Sequence, residues 1–214
     1  MFYVYLHMNP KAQYILEQVG RLYHRYGIKS VTMDDVAKQL GISKKTIYEF
    51  FNDKEDLVGQ VLLFEHEHHC GFLNTGHEGN INAIERLFEV YKMINAMFKD
   101  YNPSMDYDIR KYYPTLFVKI REIRRKSMFE SVYKNLNQGK KEGLYRSDLN
   151  ARIIAKIHVF MVENLFGSDM YTPEELTSFK MFHEIFVYHL YGILSQEGCS
   201  FFEKNFDKFK ATLS

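Results

Sequence analysis

The chain has 214 residues and 46% hydrophobic content, enough for one large or two small domains with a substantial core, which excludes wholesale disorder. Its formal net charge is +1, so it does not hold nucleic acid by bulk charge, and no run approaches the roughly 18 uninterrupted apolar residues that cross a bilayer. Aromatics reach 16%, all Phe and Tyr with Trp absent, a supply on which core packing or a ring-lined ligand cavity would draw alike.

The opening MFYVYLHM is apolar but short, with no basic start and no small-residue cleavage site after it. It reads either as a helix extension or as an upstream start with Met8 as the native one. The two cysteines, Cys70 and Cys199, have no framework spacing and point to a reducing cytoplasm. From Ala12 to Tyr26, the apolar residues Ile15, Leu16, Val19, Leu22, Tyr23 and Tyr26 recur at helical spacing until Gly27. Arg21, Arg25 and Lys29 lie near that seam, within reach of phosphates, and are expected to be simply solvated.

Thr32 to Leu57, TMDDVAKQLGISKKTIYEFFNDKEDL, is the most informative stretch. Thr32 is a good N-cap with Asp35 three residues on, approximating a capping box. Met33, Val36, Ala37 and Leu40 make one apolar stripe, and Gly41 suits the left-handed residue that ends a helix. Ser43 then caps a second helix, expected from Lys44 to Phe51, which buries Ile47, Phe50 and Phe51. Its opposite side carries Lys45, Tyr48 and Glu49, flanked by Lys44 and Thr46. Two short helices across a Gly-containing turn, the second showing cations and hydroxyls outward, form a helix-turn-helix whose second helix fits the major groove. From Met1 to Asp56, 8 Lys and Arg stand against 7 Asp and Glu, so affinity would come from placed contacts and two heads acting together.

These residues resemble the DNA-binding domain of TetR-family transcriptional regulators. That pattern reads here as Thr32, Val36, Ala37, Leu40, Gly41, Ile42, Ser43, Thr46, Ile47, Tyr48, Phe50, Phe51, Asp53, Lys54 and Leu57. Phe50 departs from it, standing where the family usually carries His or Tyr, which removes a polar DNA contact. The resemblance implies phosphate contacts from Tyr48 and Lys54, and base or phosphate contacts from Lys44, Lys45 and Thr46. Thr32 and Ser43 complete the expected DNA-binding set. The motif covers the first quarter of the chain; the remainder matches the family only in length and helical character.

Asp53 would cap the next helix, expected from Glu55 to about Leu73, and any tilt of it would move the head directly. It carries EHEHHC, Glu65 to Cys70, in which His66 and Cys70 share a face and Glu65 and His68 form one Glu-x-x-His step. The chain lacks the second Glu-x-x-His that a di-iron bundle needs, so a polar helix face is expected there and no metal. A loop is expected from Asn74 to Asn82. The stripe Leu87, Phe88, Tyr91, Ile94 and Phe98 marks a helix, and a short one lies near Met105 to Tyr112. Leu116 to Asn137 reads as a long helix ended by Gly139 and Gly143, with a cationic run from Lys119 to Lys126 read as a solvated face. Ser147 or Asp148 would begin the next.

The segments Ile153 to Phe166 and Met181 to Leu194, the latter entered through Thr172 and Pro173, are apolar nearly all round, which calls for burial on several sides. They suit a four-helix dimer seam, and the resemblance implies the same. The expected fold is all-α: a three-helix DNA-binding domain over residues 9–56, then a helical ligand-binding and dimerisation domain over 57–214. The implied protein is a cytoplasmic, homodimeric regulator, a repressor or an activator, on a pseudo-palindromic double-stranded DNA operator. The dimer would use helices near 150–167 and 173–196. A small apolar or aromatic effector would release it, lined by Phe72, Phe88, Tyr91, Phe98, Tyr107, Phe117 and His158. His158 and His189 otherwise serve as interior hydrogen-bonders. No cofactor, catalytic constellation or membrane association is expected. Two rivals remain: a helical-bundle metalloprotein using His66 to Cys70, and a constitutive DNA-binding protein with no inducer.

Overall fold

A computed structural model describes residues 8–75, 81–99, 103–165, 170–176 and 178–205. Eleven helices are described in order: α1 (Pro10–Tyr26), α2 (Met33–Leu40), α3 (Lys44–Tyr48), α4 (Lys54–Thr75), α5 (Ala83–Lys99) and α6 (Pro103–Tyr112). They continue with α7 (Pro114–Lys141), α8 (Ala151–Leu165), α9 (Pro173–Leu176), α10 (Phe179–Ile193) and α11 (Gln196–Lys204). The fold is all-α, and the one extended pairing among the described residues is an isolated bridge between Tyr145 and Leu194. No helix of the described residues is long and apolar enough to cross a membrane.

The chain divides into two compact units, Met1–Phe72 with Tyr101–Arg124 and Leu73–Asp100 with Arg125–Ser214. The expected division after Asp56 therefore falls inside the first unit. Its core takes Ile15, Leu16, Val19 and Tyr23 from α1, Val36 from α2, Ile47 from α3, and Leu57, Val58, Val61 and Leu62 from α4. Met105 and Ile109 of α6 and Ile120 of α7 complete it. Of the apolar positions read from the sequence for the first three helices, Leu22, Ala37, Leu40 and Phe50 are half-buried against this core, and Tyr26 is exposed. The second unit packs Ala83, Ile84, Phe88 and Tyr91 of α5 with Leu136, Tyr145, Ala155, Phe186, Leu190 and Phe202.

Several boundaries differ from expectation, each for a local reason. The second helix of the turn is Lys44–Tyr48 and stops short of Phe51, because Phe50 bonds back to the Ile47 carbonyl in a tighter turn that lets Phe51 bury. Gly139 does not end α7. It lies inside the helix, where a methyl group would overlap the Tyr145 ring, so close packing explains the glycine. The start of α8 belongs to Asn150, whose Oδ1 accepts from the Ile153 amide at 3.1 Å, while Asp148 pairs with Arg146 at 2.8 Å. Thr172 and Pro173 open only the single turn of α9, and Ser178 caps α10 through the Met181 amide at 3.2 Å. The expected loop after Asn74 begins later, since α4 runs to Thr75; residues 76–80 of it lie outside the described set. The opening MFYVYLH lies outside it too.

Candidate nucleic-acid interface

The turn between α2 and α3 is built by its caps. Thr32 accepts the Asp35 amide at 3.2 Å while the Asp35 carboxylate takes the Thr32 amide at 2.9 Å and its hydroxyl at 2.6 Å, a complete capping box. Those bonds hold the Asp35 carboxyl below its ordinary range. Gly41 ends α2 at φ 64°, a left-handed conformation that costs glycine little. Ser43 then accepts the Thr46 amide at 3.0 Å to start α3. Ile47 alone is fully buried among the five α3 residues, so it anchors the helix to the core.

With Ile47 inward, Lys44, Lys45, Tyr48 and Glu49 point out. Tyr48 is 46% exposed, so much of its ring and phenol faces solvent. The Lys44 ammonium lies 3.1 Å from the Asp34 carboxylate, both well exposed, a pair weak enough to exchange for phosphate. Lys45 has no carboxylate partner among the described residues. Thr46 is half-buried, with its hydroxyl 3.0 Å from that of Ser43. The hydroxyls of Thr32 and Ser43 are thus already engaged as caps. Lys54 also has internal work: its half-buried ammonium donates to the Ile28 carbonyl at 2.8 Å. Burial foremost, then the nearby Lys29, draws Lys54 below the ordinary lysine range, with Asp108 and Asp35 opposing. Lys44, Lys45 and Tyr48 remain as one outward set of charge and phenol.

The expected effector-lining residues divide between the two units. Tyr107 and Phe117 belong to the first unit, where Tyr107 is exposed and Phe117 lies under the Arg110 guanidinium at 5.1 Å. Phe88 and Tyr91 belong to the second and are fully buried. Tyr91 stacks on Phe182 at 4.8 Å and tilts against Phe186 at 4.5 Å, and Phe88 meets Phe186 at 5.1 Å. The Tyr91 hydroxyl is 3.5 Å from His183 Nδ1. His158 lies beside His189, and its buried Nδ1 has no hydrogen-bond partner among the described residues. The side chains of Phe72, Phe98 and Cys70 lie outside the described residues, so the His66 to Cys70 face stays an expectation. Among the described residues, an open recess of about 440 Å³ runs along Tyr133, Asn137 and Lys141, and one of about 500 Å³ lies by Tyr26, Lys29 and Tyr107.

Sequence reasoning missed Phe182, Phe186 and His183 as one ring cluster with α5, because helix periodicity does not say which helices meet. It also missed Asp108, buried on α6. Its spacing from Met105 and Ile109 was the available signal, since it shares their face.

Residues 15–61 match the family described as bacterial regulatory proteins, tetR family. The HTH-type transcriptional regulator YerO of Bacillus subtilis is 24% identical over 191 residues, 80% of this chain, which spans 62% of YerO's own length. The HTH-type transcriptional repressor KstR2 of Mycobacterium tuberculosis is 24% identical over 161 residues, 69% of this chain and 75% of that protein. Among solved structures, a transcriptional regulator from Cytophaga hutchinsonii shares the fold at a TM-score of 0.72 and 18% identity, covering 87% of this chain and all 100% of that one. These relatives are regulators and not enzymes.

Proposed function

Starting from the membership of this chain in the TetR family of DNA-binding transcriptional regulators, we propose that it is a homodimeric, ligand-released repressor acting in the cytoplasm. The observation that carries the reading is the outward set Lys44, Lys45 and Tyr48 on a helix anchored by Ile47 and capped at Ser43. That face offers two ammonium groups and a phenol to duplex edges and phosphates, with base contacts giving specificity and phosphate contacts giving register. Glu49, on the same side, opposes non-specific phosphate binding and favours a discriminating contact.

Dimerisation is supported by apolar surface left outside the second unit. Ile153, Ile157 and Phe160 line one exposed face of α8, and Tyr188 and Tyr191 one of α10. Phe160 is 69% and Tyr188 79% exposed, and an apolar stripe of this kind marks an interface. A second copy is its natural occupant, because near-neutral heads need two grips on a palindrome for useful affinity.

The effector would be apolar or aromatic and act on the second unit, where α5 and α10 meet through rings. KstR2 is itself described as a ketosteroid regulator, in keeping with such a ligand. Release of DNA by a hundredfold requires about 2.7 kcal/mol of differential affinity between the DNA-competent and released states, which a modest ring-lined site supplies. The close packing of Tyr91 on Phe182 and Phe186 favours a second reading, a constitutive DNA-binding protein. Two measurements test the proposal. Selection from a random-sequence duplex pool is expected to return a palindrome bound by a dimer. Melting against a library of apolar compounds is expected to yield at least one that raises the melting temperature and weakens DNA binding. A library with no such compound favours the constitutive reading.

A further inference from the structure

Asp108 lies on α6, whose neighbours Met105 and Ile109 are in the core of the first unit, and it is itself 8% exposed. Carboxylates at this depth persist only with partners. Its Oδ2 accepts the Lys29 amide at 2.7 Å, in the loop that leads from α1 to the Thr32 cap. Gly27 opens that loop at φ 79°, and a Cβ there would stand 3.1 Å from the same oxygen. The next carbonyl, Ile28, is held by the Lys54 ammonium of α4 at 2.8 Å. The loop is therefore clasped by opposite charges from α6 and α4, neither of which forms the turn that reads DNA.

We infer that Asp108 is a positioning residue for DNA recognition: from α6 it fixes the loop that delivers Thr32 and α2. This rests on the DNA-binding reading above. The carboxylate is a charge-assisted acceptor for the Lys29 amide, and an asparagine keeps an acceptor at the same place where an alanine does not. A displacement of α6 breaks that bond, which gives α6 a hold on the loop leading into α2.

The test uses the full chain and a duplex selected by the wild-type protein, with dissociation constants measured at about pH 7.5 and folding followed by circular dichroism. Asp108→Ala is expected to stay folded and to bind about tenfold more weakly, and Asp108→Asn, which keeps an acceptor for the Lys29 amide, to recover affinity to within about threefold of wild type. Wild-type affinity in Asp108→Ala overturns the inference, as does weakened binding that merely tracks loss of folded protein, or an Asp108→Asn variant as weak as Asp108→Ala. A wild-type protein that selects no duplex overturns the DNA reading, and this inference with it.

Discussion

The imidazoles of His158 on α8 and His189 on α10 lie with their ring centroids 4.5 Å apart. Burial pushes His158 down to about 4, and burial with the neighbouring His158 pushes His189 down to about 3. Both are therefore neutral in the folded chain when an unfolded histidine, near 6.5, begins to charge. Folded-state values below the unfolded value mean the unfolded chain binds more protons as pH falls. The pair is without effect on stability above about pH 6.5, lowers it progressively toward about 4, and adds no further loss below about 3. Melting between pH 7.5 and 4.5 is expected to show a smaller acid loss in His189→Phe than in wild type. Identical acid profiles would contradict the buried, neutral pair.

Two fully buried tyrosines are expected to respond oppositely to loss of the hydroxyl. Tyr145 donates to Asn135 Oδ1 at 3.0 Å, and the Asn135 amide donates in turn to the Ala83 carbonyl at 2.9 Å. Tyr145→Phe leaves a buried acceptor short of a partner and is expected to cost about 1–3 kcal/mol. The Tyr23 hydroxyl is buried with no partner among the described residues, and desolvation pushes its pKa well above the ordinary phenol range. Tyr23→Phe is therefore expected to be neutral or stabilising, by up to about 1 kcal/mol. Urea unfolding of the two variants beside wild type checks the contrast, which fails if Tyr23→Phe is the more damaging.

The exposed stripe on α8 and α10 predicts the oligomeric state. Ile157→Lys and Phe160→Glu place charge on surface that a second copy would cover, and each is expected to weaken the dimer at least about tenfold. Sedimentation at micromolar concentration distinguishes the results: wild type sedimenting as a dimer and the variants as monomers supports the seam. Variants that stay dimeric would move the interface elsewhere.

The head was legible because its information is local. A cap at Thr32, a glycine at position 41 and a cap at Ser43 fix the turn within a dozen residues, and every one occupies the position expected. The end of α3 was misjudged because Phe50 and Phe51 are apolar in either a helix or a tight turn, and only the Ile47 carbonyl decides between them. The second unit was less legible. Its helices were found, yet α11 was not, and Gly139 looked like a terminator because the Tyr145 ring that requires it lies six residues on, past the end of α7. Effector candidates chosen by ring type scattered across both units, since residue type does not encode which helices meet. The bond from Lys54, a residue the family resemblance implies as a phosphate contact, to the Ile28 carbonyl is long-range and invisible to spacing.

The direct measurement for the DNA-reading face is a gel shift of the selected duplex with wild type, Lys44→Ala, Tyr48→Ala and the double variant, with dimer content checked in parallel. Both side chains are exposed, so neither substitution is expected to disturb folding. Each single variant is expected to bind about 5- to 100-fold more weakly, roughly 1–3 kcal/mol, and the double variant to give no shift while remaining dimeric. A double variant that shifts the duplex at wild-type concentration would contradict the assignment of Lys44–Tyr48 as the helix that reads DNA.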